Sequence, residues 1–113
     1  MKTYKIFLAS VLLLFGLNNV NAQTATIRIQ TSAICEKCKD RIENDLSFAK
    51  GVKSAVLDQK TKIVTVVYNS NKTDPQKIRE AISKSGYDAD SLKADAKSYQ
   101  KLPACCRKEE KAN

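Results

Sequence analysis

The chain has 113 residues, 42% of them hydrophobic, which is material for one small domain with one modest core. It carries no His, so chemistry that needs an imidazole base or a Ser-His-Asp triad is excluded. Its 20 basic residues against 12 acidic ones give a net charge of +8, but they are scattered; this reads as a solvated surface, at most a face for an acidic partner, and against nucleic acid.

In chain order, residues 1–22 read as a secretory signal peptide. Lys2 and Lys5 open it, Ile6 to Leu17 is apolar, and Val20-Asn21-Ala22 supplies a cleavage site. The run is too short to span a bilayer. No Cys follows it closely, so no lipid or stable membrane anchor is expected after cleavage. The chain from Gln23 onward is expected to be periplasmic or secreted. Thr24 to Thr31 alternates, with Ala25, Ile27 and Ile29 on one side, as a half-buried strand does. From Cys38, Ile42, Leu46 and Ala49 mark an amphipathic helix, with Gly51 as its C-cap. Val52 to Asp58 and the β-branched Ile63 to Tyr68 are two further strands around the turn Gln59-Lys60-Thr61. Asp74-Pro75 starts a second helix with Ile78, Ala81 and Ile82 inward, closed by Gly86. Tyr87 to Ala89 is a short candidate fourth strand. The order β-α-β-β-α-β predicts an α+β fold, the ferredoxin-like sandwich of two helices on a four-stranded antiparallel sheet, over residues 23–90. Residues 91–113 form an extension: a helix capped by Asp90 or Ser91 and running to about Lys101, stopped at Leu102-Pro103, then Cys105-Cys106 and a charged tail.

The four cysteines lie in two close pairs, Cys35/Cys38 and Cys105/Cys106. A stapled mini-protein would spread them among its loops. Cys35-Glu36-Lys37-Cys38 sits where a strand turns into a helix, and a helix N-terminus favours thiolate over thiol. Lys37 either adds to that effect or faces water. Such a pair can hold a soft metal ion, cycle as a redox dithiol, or close as a plain disulfide in an interaction domain. The absence of Trp, and the distance of Pro75 and Pro103 from the motif, weaken the redox reading. The three glycines are isolated and make no phosphate loop, and no catalytic constellation is present, so an enzyme is not expected.

The stretch Thr24 to Ala89 resembles the heavy-metal-associated domain family, the βαββαβ module of copper chaperones, periplasmic mercury-binding proteins and copper-transporting ATPases. The residues that carry the resemblance are Cys35-x-x-Cys38, Gly51-Val52, Ala81-Ile82 and Ser85-Gly86-Tyr87, in that order and spacing. It implies that Cys35 and Cys38 are the metal-binding thiolates, that Tyr87 shields the ion without ligating it, and that a protein partner such as a membrane metal transporter receives the cargo. Where the family has Gly-Met-Thr before its first Cys, this chain has Ser32-Ala33-Ile34. Thiolates select Cu(I) or Hg(II), with Zn(II) or Cd(II) open if further ligands join. Cys105 and Cys106 are the candidates for those: an extension helix can bring them back to Cys35 and Cys38, with three thiolates easier to arrange than four.

Overall fold

The most β-branched segment of the chain, Ile63–Asn69 (β3), forms the centre of a three-stranded antiparallel sheet between β1 (Thr24–Gln30) and β2 (Val52–Asp58). The computed structural model describes residues 23–107; the segment 1–22, read above as a signal peptide, and the tail 108–113 lie outside the described residues. The register aligns the apolar alternation into rows across all three strands. Ile29, Val64 and Leu57 form one row, Ile27, Val66 and Ala55 the next, Ala25, Tyr68 and Val52 the third. A bulge between Val52 and Ser54 lets Val52 share that face despite its odd spacing from Ala55.

Two helices cover the apolar face. Helix α1 (Glu36–Ser47) buries Cys38, Ile42 and Leu46, and α2 (Pro75–Lys84) buries Ile78 and Ile82. Each aliphatic side chain buried this way contributes roughly 1.5–3 kcal/mol. Asp74 caps α2 by accepting the Lys77 N–H at 2.9 Å, with Pro75 in the first turn. Helix α1 stops four residues before Gly51, at Ser47, with Phe48 as its C-cap. Gly51 instead takes φ +81° at the mouth of β2, where a Cβ would lie 2.9 Å from Thr73 Cγ2. The glycine serves the turn into the strand rather than the helix end.

The expected fourth strand shrinks to one bridge, Thr31 with Ala89. Asp90, at φ +54°, turns the backbone away, while its N–H still donates to Gln30 O at 2.8 Å and its carboxylate accepts the Gln30 N–H at 2.9 Å. A side chain thus does what the next strand carbonyl would have done. Burial opposes ionisation of Asp90, but the Arg79 guanidinium 2.9 Å away, together with the Gln30 N–H, holds its pKa below the usual value. At the other margin, the Leu57 N–H of β2 donates to Glu43 of α1 at 2.7 Å.

The predicted helix 91–101 is also shorter. With Asp90 committed to β1 and Arg79, and Leu92 bridged back to Ala89, the helix begins only at Ala96, capped by Asp95. This α3 (Ala96–Gln100) is followed by a 3-10 turn, Ala104–Cys106. The extension is tied to α2 through Ser83, whose hydroxyl donates to Lys93 O at 2.8 Å and whose carbonyl accepts the Asp95 N–H at 3.0 Å. Leu102, 3% exposed, plugs it into the core.

Candidate metal centre

The loop that carries the first cysteine is held from two sides. Thr31 anchors its base: the backbone N–H and the hydroxyl both reach Lys62 O, at 2.9 and 2.8 Å, and the hydroxyl accepts the Ala33 N–H at 3.2 Å. Ser32 accepts the Asp88 N–H at 2.9 Å, coupling this loop to the one that presents Tyr87. Ala33 is buried in the core at the place where the family pattern has Met. Cys35 follows as the N-cap of α1, with extended backbone and no side-chain cap bond, and Cys38 lies buried in the first turn.

The C-terminal extension brings the second pair to the first. Cys35 Sγ lies 3.3 Å from Cys38 Sγ and 3.8 Å from Cys106 Sγ, and Cys106 Sγ lies 3.8 Å from Cys105 Sγ. The peptide oxygen of Cys105 adds a contact to Cys35 Sγ at 3.5 Å. Cys35, Cys105 and Cys106 offer sulfurs that all fall within 4.8 Å of one another. All four cysteines carry free thiols, Cys38 and Cys106 buried and Cys105 exposed. The return path expected of one long helix is made by loop, short helix and turn. An all-sulfur donor set of this kind suits soft ions.

Tyr87 is 1% exposed, and its hydroxyl is buried without a hydrogen-bond partner among the described residues. Burial first, and then the neighbouring Cys38 and Cys106 sulfurs, push its ionisation far above the ordinary phenol value. It stays a neutral O–H beside two sulfurs. The Lys37 side chain is exposed to solvent; what reaches Cys35 from this residue is its backbone N–H.

The thiols are tuned apart. Burial raises the Cys35 pKa, but the Cys38 N–H, the Cys38 and Cys106 thiols and the Lys37 N–H outweigh it, so the net shift is downward. The Cys106 thiol is pushed up from 9.0 to about 12, by burial first and then by Cys38. The two shifts have opposite consequences for the metal-free protein. A depressed Cys35 pKa adds stability as pH rises through it. A raised Cys106 pKa means that the native state holds a proton the unfolded chain has released. That stability is complete below 9.0 and is lost as pH climbs towards about 12. Urea unfolding of the reduced, metal-free protein is therefore expected to show falling stability above pH 9.0, by up to about 1.4 kcal/mol per pH unit, with a flatter slope in Cys106→Ala.

Two functional contributors were not legible in advance: the Ser32–Asp88 contact and the Leu102 anchor. Leu102 had a signal, an apolar residue just before Pro103 in an otherwise charged stretch.

The sequence profile of the heavy-metal-associated domain family matches residues 29–88. Among curated proteins, the copper chaperone CopZ of Staphylococcus epidermidis is 37% identical over 54 residues, which are 48% of this chain and 79% of that protein. Among solved structures, the water-soluble region of the P-type ATPase CopA from Bacillus subtilis superposes with a TM-score of 0.55 at 34% identity, covering 59% of this chain and 45% of that one. Oxidized MerP from Ralstonia metallidurans CH34 does so with a TM-score of 0.56 at 24% identity, covering 58% and 93%; at that identity the likeness concerns the fold.

Proposed function

Since the chain belongs to the heavy-metal-associated domain family, we propose that it captures a soft metal ion at Cys35 and Cys38 and either hands it to a protein partner or sequesters it. One observation carries the reading: two sulfurs 3.3 Å apart at the start of α1, Cys35 with a lowered pKa. The ion is cargo, not a resident cofactor. Capture replaces two S–H bonds with two sulfur–metal bonds and releases the protons to solvent. Hand-off then exchanges one sulfur–metal bond at a time for a partner's thiolate, so the ion is never free and no electron moves.

Copper(I) and Hg(II) fit two thiolates best; Zn(II) or Cd(II) would need the extension's sulfurs, carboxylates or water. The likeness to the soluble region of a P-type ATPase supports a membrane metal transporter as the receiving partner. We read residues 1–22 as a cleaved export signal, 23–90 as the metal-carrying domain and 91–113 as its extension, which puts the protein in the periplasm or outside the cell.

The test is anaerobic titration of the protein recovered after export, reduced, with Cu(I) or Hg(II). Thiolate-to-metal absorption is expected to saturate at one ion per chain, with no response to Mg(II) or Ca(II), on a chain whose mass begins at Gln23. Absence of saturable absorption, or its survival in the Cys35→Ser/Cys38→Ser double variant, would overturn the metal reading. Catalytic turnover of a disulfide substrate in its place would mark a redox protein.

A further inference from the structure

We propose that the C-terminal extension is a clasp: Cys106 supplies a third thiolate to the ion held by Cys35 and Cys38, making a trigonal three-sulfur site that retains its cargo. This deepens the preceding reading and rests on it.

The first argument is geometric. With sulfur–metal bonds of about 2.3 Å, a linear two-thiolate site needs its sulfurs about 4.6 Å apart, whereas a trigonal site needs about 4.0 Å between each pair. Cys35 and Cys38 stand at 3.3 Å, and Cys35 and Cys106 at 3.8 Å. Linear binding must spread the first pair by more than an ångström, against a loop pinned by Thr31 and Ser32. Trigonal binding needs less than an ångström from that pair and almost nothing between Cys35 and Cys106.

The second argument is the orphaned phenol. The Tyr87 hydroxyl is enclosed beside the Cys38 and Cys106 sulfurs and has no hydrogen-bond partner among the described residues. A buried, unsatisfied O–H is costly, on the order of 1–3 kcal/mol. A thiol is a weak acceptor, but a metal-bound thiolate carries the electron density that O–H lacks. Tyr87 is satisfied once either neighbouring sulfur is metal-bound, and because its hydroxyl lies beside both Cys38 and Cys106, it ties the Cys106 sulfur to the site of the first pair.

The third argument separates Cys106 from its neighbour. Cys106 is 2% exposed and is fixed by the Leu102 plug and the 3-10 turn, in which its N–H donates to Pro103 O at 2.8 Å. Cys105 is exposed and turns its carbonyl, not only its thiol, towards Cys35. Adjacent residues rarely direct both side chains to one ion. Cys105, although its sulfur lies within 4.8 Å of those of Cys35 and Cys106, is the exposed member of the group, and in the proposed site it stays at the rim.

The probe is Hg(II), whose two- and three-sulfur forms differ in charge-transfer absorption and in Hg–S bond length by X-ray absorption spectroscopy. At one ion per chain, the wild-type protein should give the three-sulfur signature. Cys106→Ser and Cys106→Ala should both fall to the two-sulfur signature, still binding one ion, and release it to a competing dithiol at least about tenfold more readily. Cys105→Ser should keep three sulfurs. A two-sulfur signature in the wild-type protein overturns the clasp and needs no variant to fold. So does a three-sulfur signature that survives Cys106→Ala or vanishes in Cys105→Ser. Failure of the wild-type protein to bind Hg(II) at all would instead sink the metal reading, so the two failures are distinct.

Discussion

Replacing Cys35 with Ser is expected to weaken Cu(I) or Hg(II) binding by at least about a hundredfold, the largest effect of any single sulfur. A four-ligand thiolate-rich site is worth roughly 10–16 kcal/mol, so one ligand carries about 3 kcal/mol, and every 1.4 kcal/mol is tenfold. Cys35 stands at the middle of the sulfur array, 3.3 Å from Cys38 and 3.8 Å from Cys106. Its lowered pKa also makes it the readier thiolate near neutral pH. A serine hydroxyl is a hard donor that does not ionise there. The fold should not suffer. Cys35 occupies the N-cap of α1 without a capping side-chain bond, and Ser is a preferred N-cap residue, so helix stability should hold or rise slightly. Competition titration against a chelator of known affinity measures the first effect and thermal unfolding the second. A loss below tenfold would contradict the central place of Cys35.

Gly86→Ala is expected to destabilise the protein by about 2–4 kcal/mol. Gly86 has φ +105°, where any L side chain is strained by about 1–3 kcal/mol. Its new Cβ would stand 3.0 Å from Leu102 Cγ and 3.1 Å from Ser98 O. Leu102 must shift, and with it the plug that seats the extension. A change of that size should lower the melting temperature by roughly 10–25 °C in a domain of this length. Because the strain falls on the extension, protease cleavage between α3 and Cys106 should rise before the sheet is lost. A melting temperature within a degree or two of wild type would show that the extension is not packed against Gly86 as described.

What was legible in the sequence is what depends on local period and spacing. The strand faces of Ile27/Ile29, Val64/Val66/Tyr68 and Ala55/Leu57, and the helix stripes Ile42/Leu46 and Ile78/Ile82, follow from alternation and the helical repeat. The approach of the two cysteine pairs is expected by way of a fourth strand and a long return helix, but a loop, a short helix and a 3-10 turn make it instead. Long-range polar contacts decided the rest, and no local pattern encodes them. Asp90 looked like a helix cap, yet Arg79 and Gln30 claim it, so the fourth strand ends after one bridge and α3 starts late. Gly51 looked like a helix end, yet Thr73 crowds it from a distant segment. That Cys106 turns inward while Cys105 stays out depends on a 3-10 turn after Pro103, which two adjacent cysteines give no means of foreseeing.

The carboxylates of Asp90 and Glu43 have a consequence for how molecules of this protein meet. Each takes an outward N–H of the sheet, Gln30 on one border and Leu57 on the other, so a strand from a second molecule finds those donors already engaged. Edge-to-edge addition of strands, a common hazard for an open sheet at high concentration, is impeded at those two positions, one on each border.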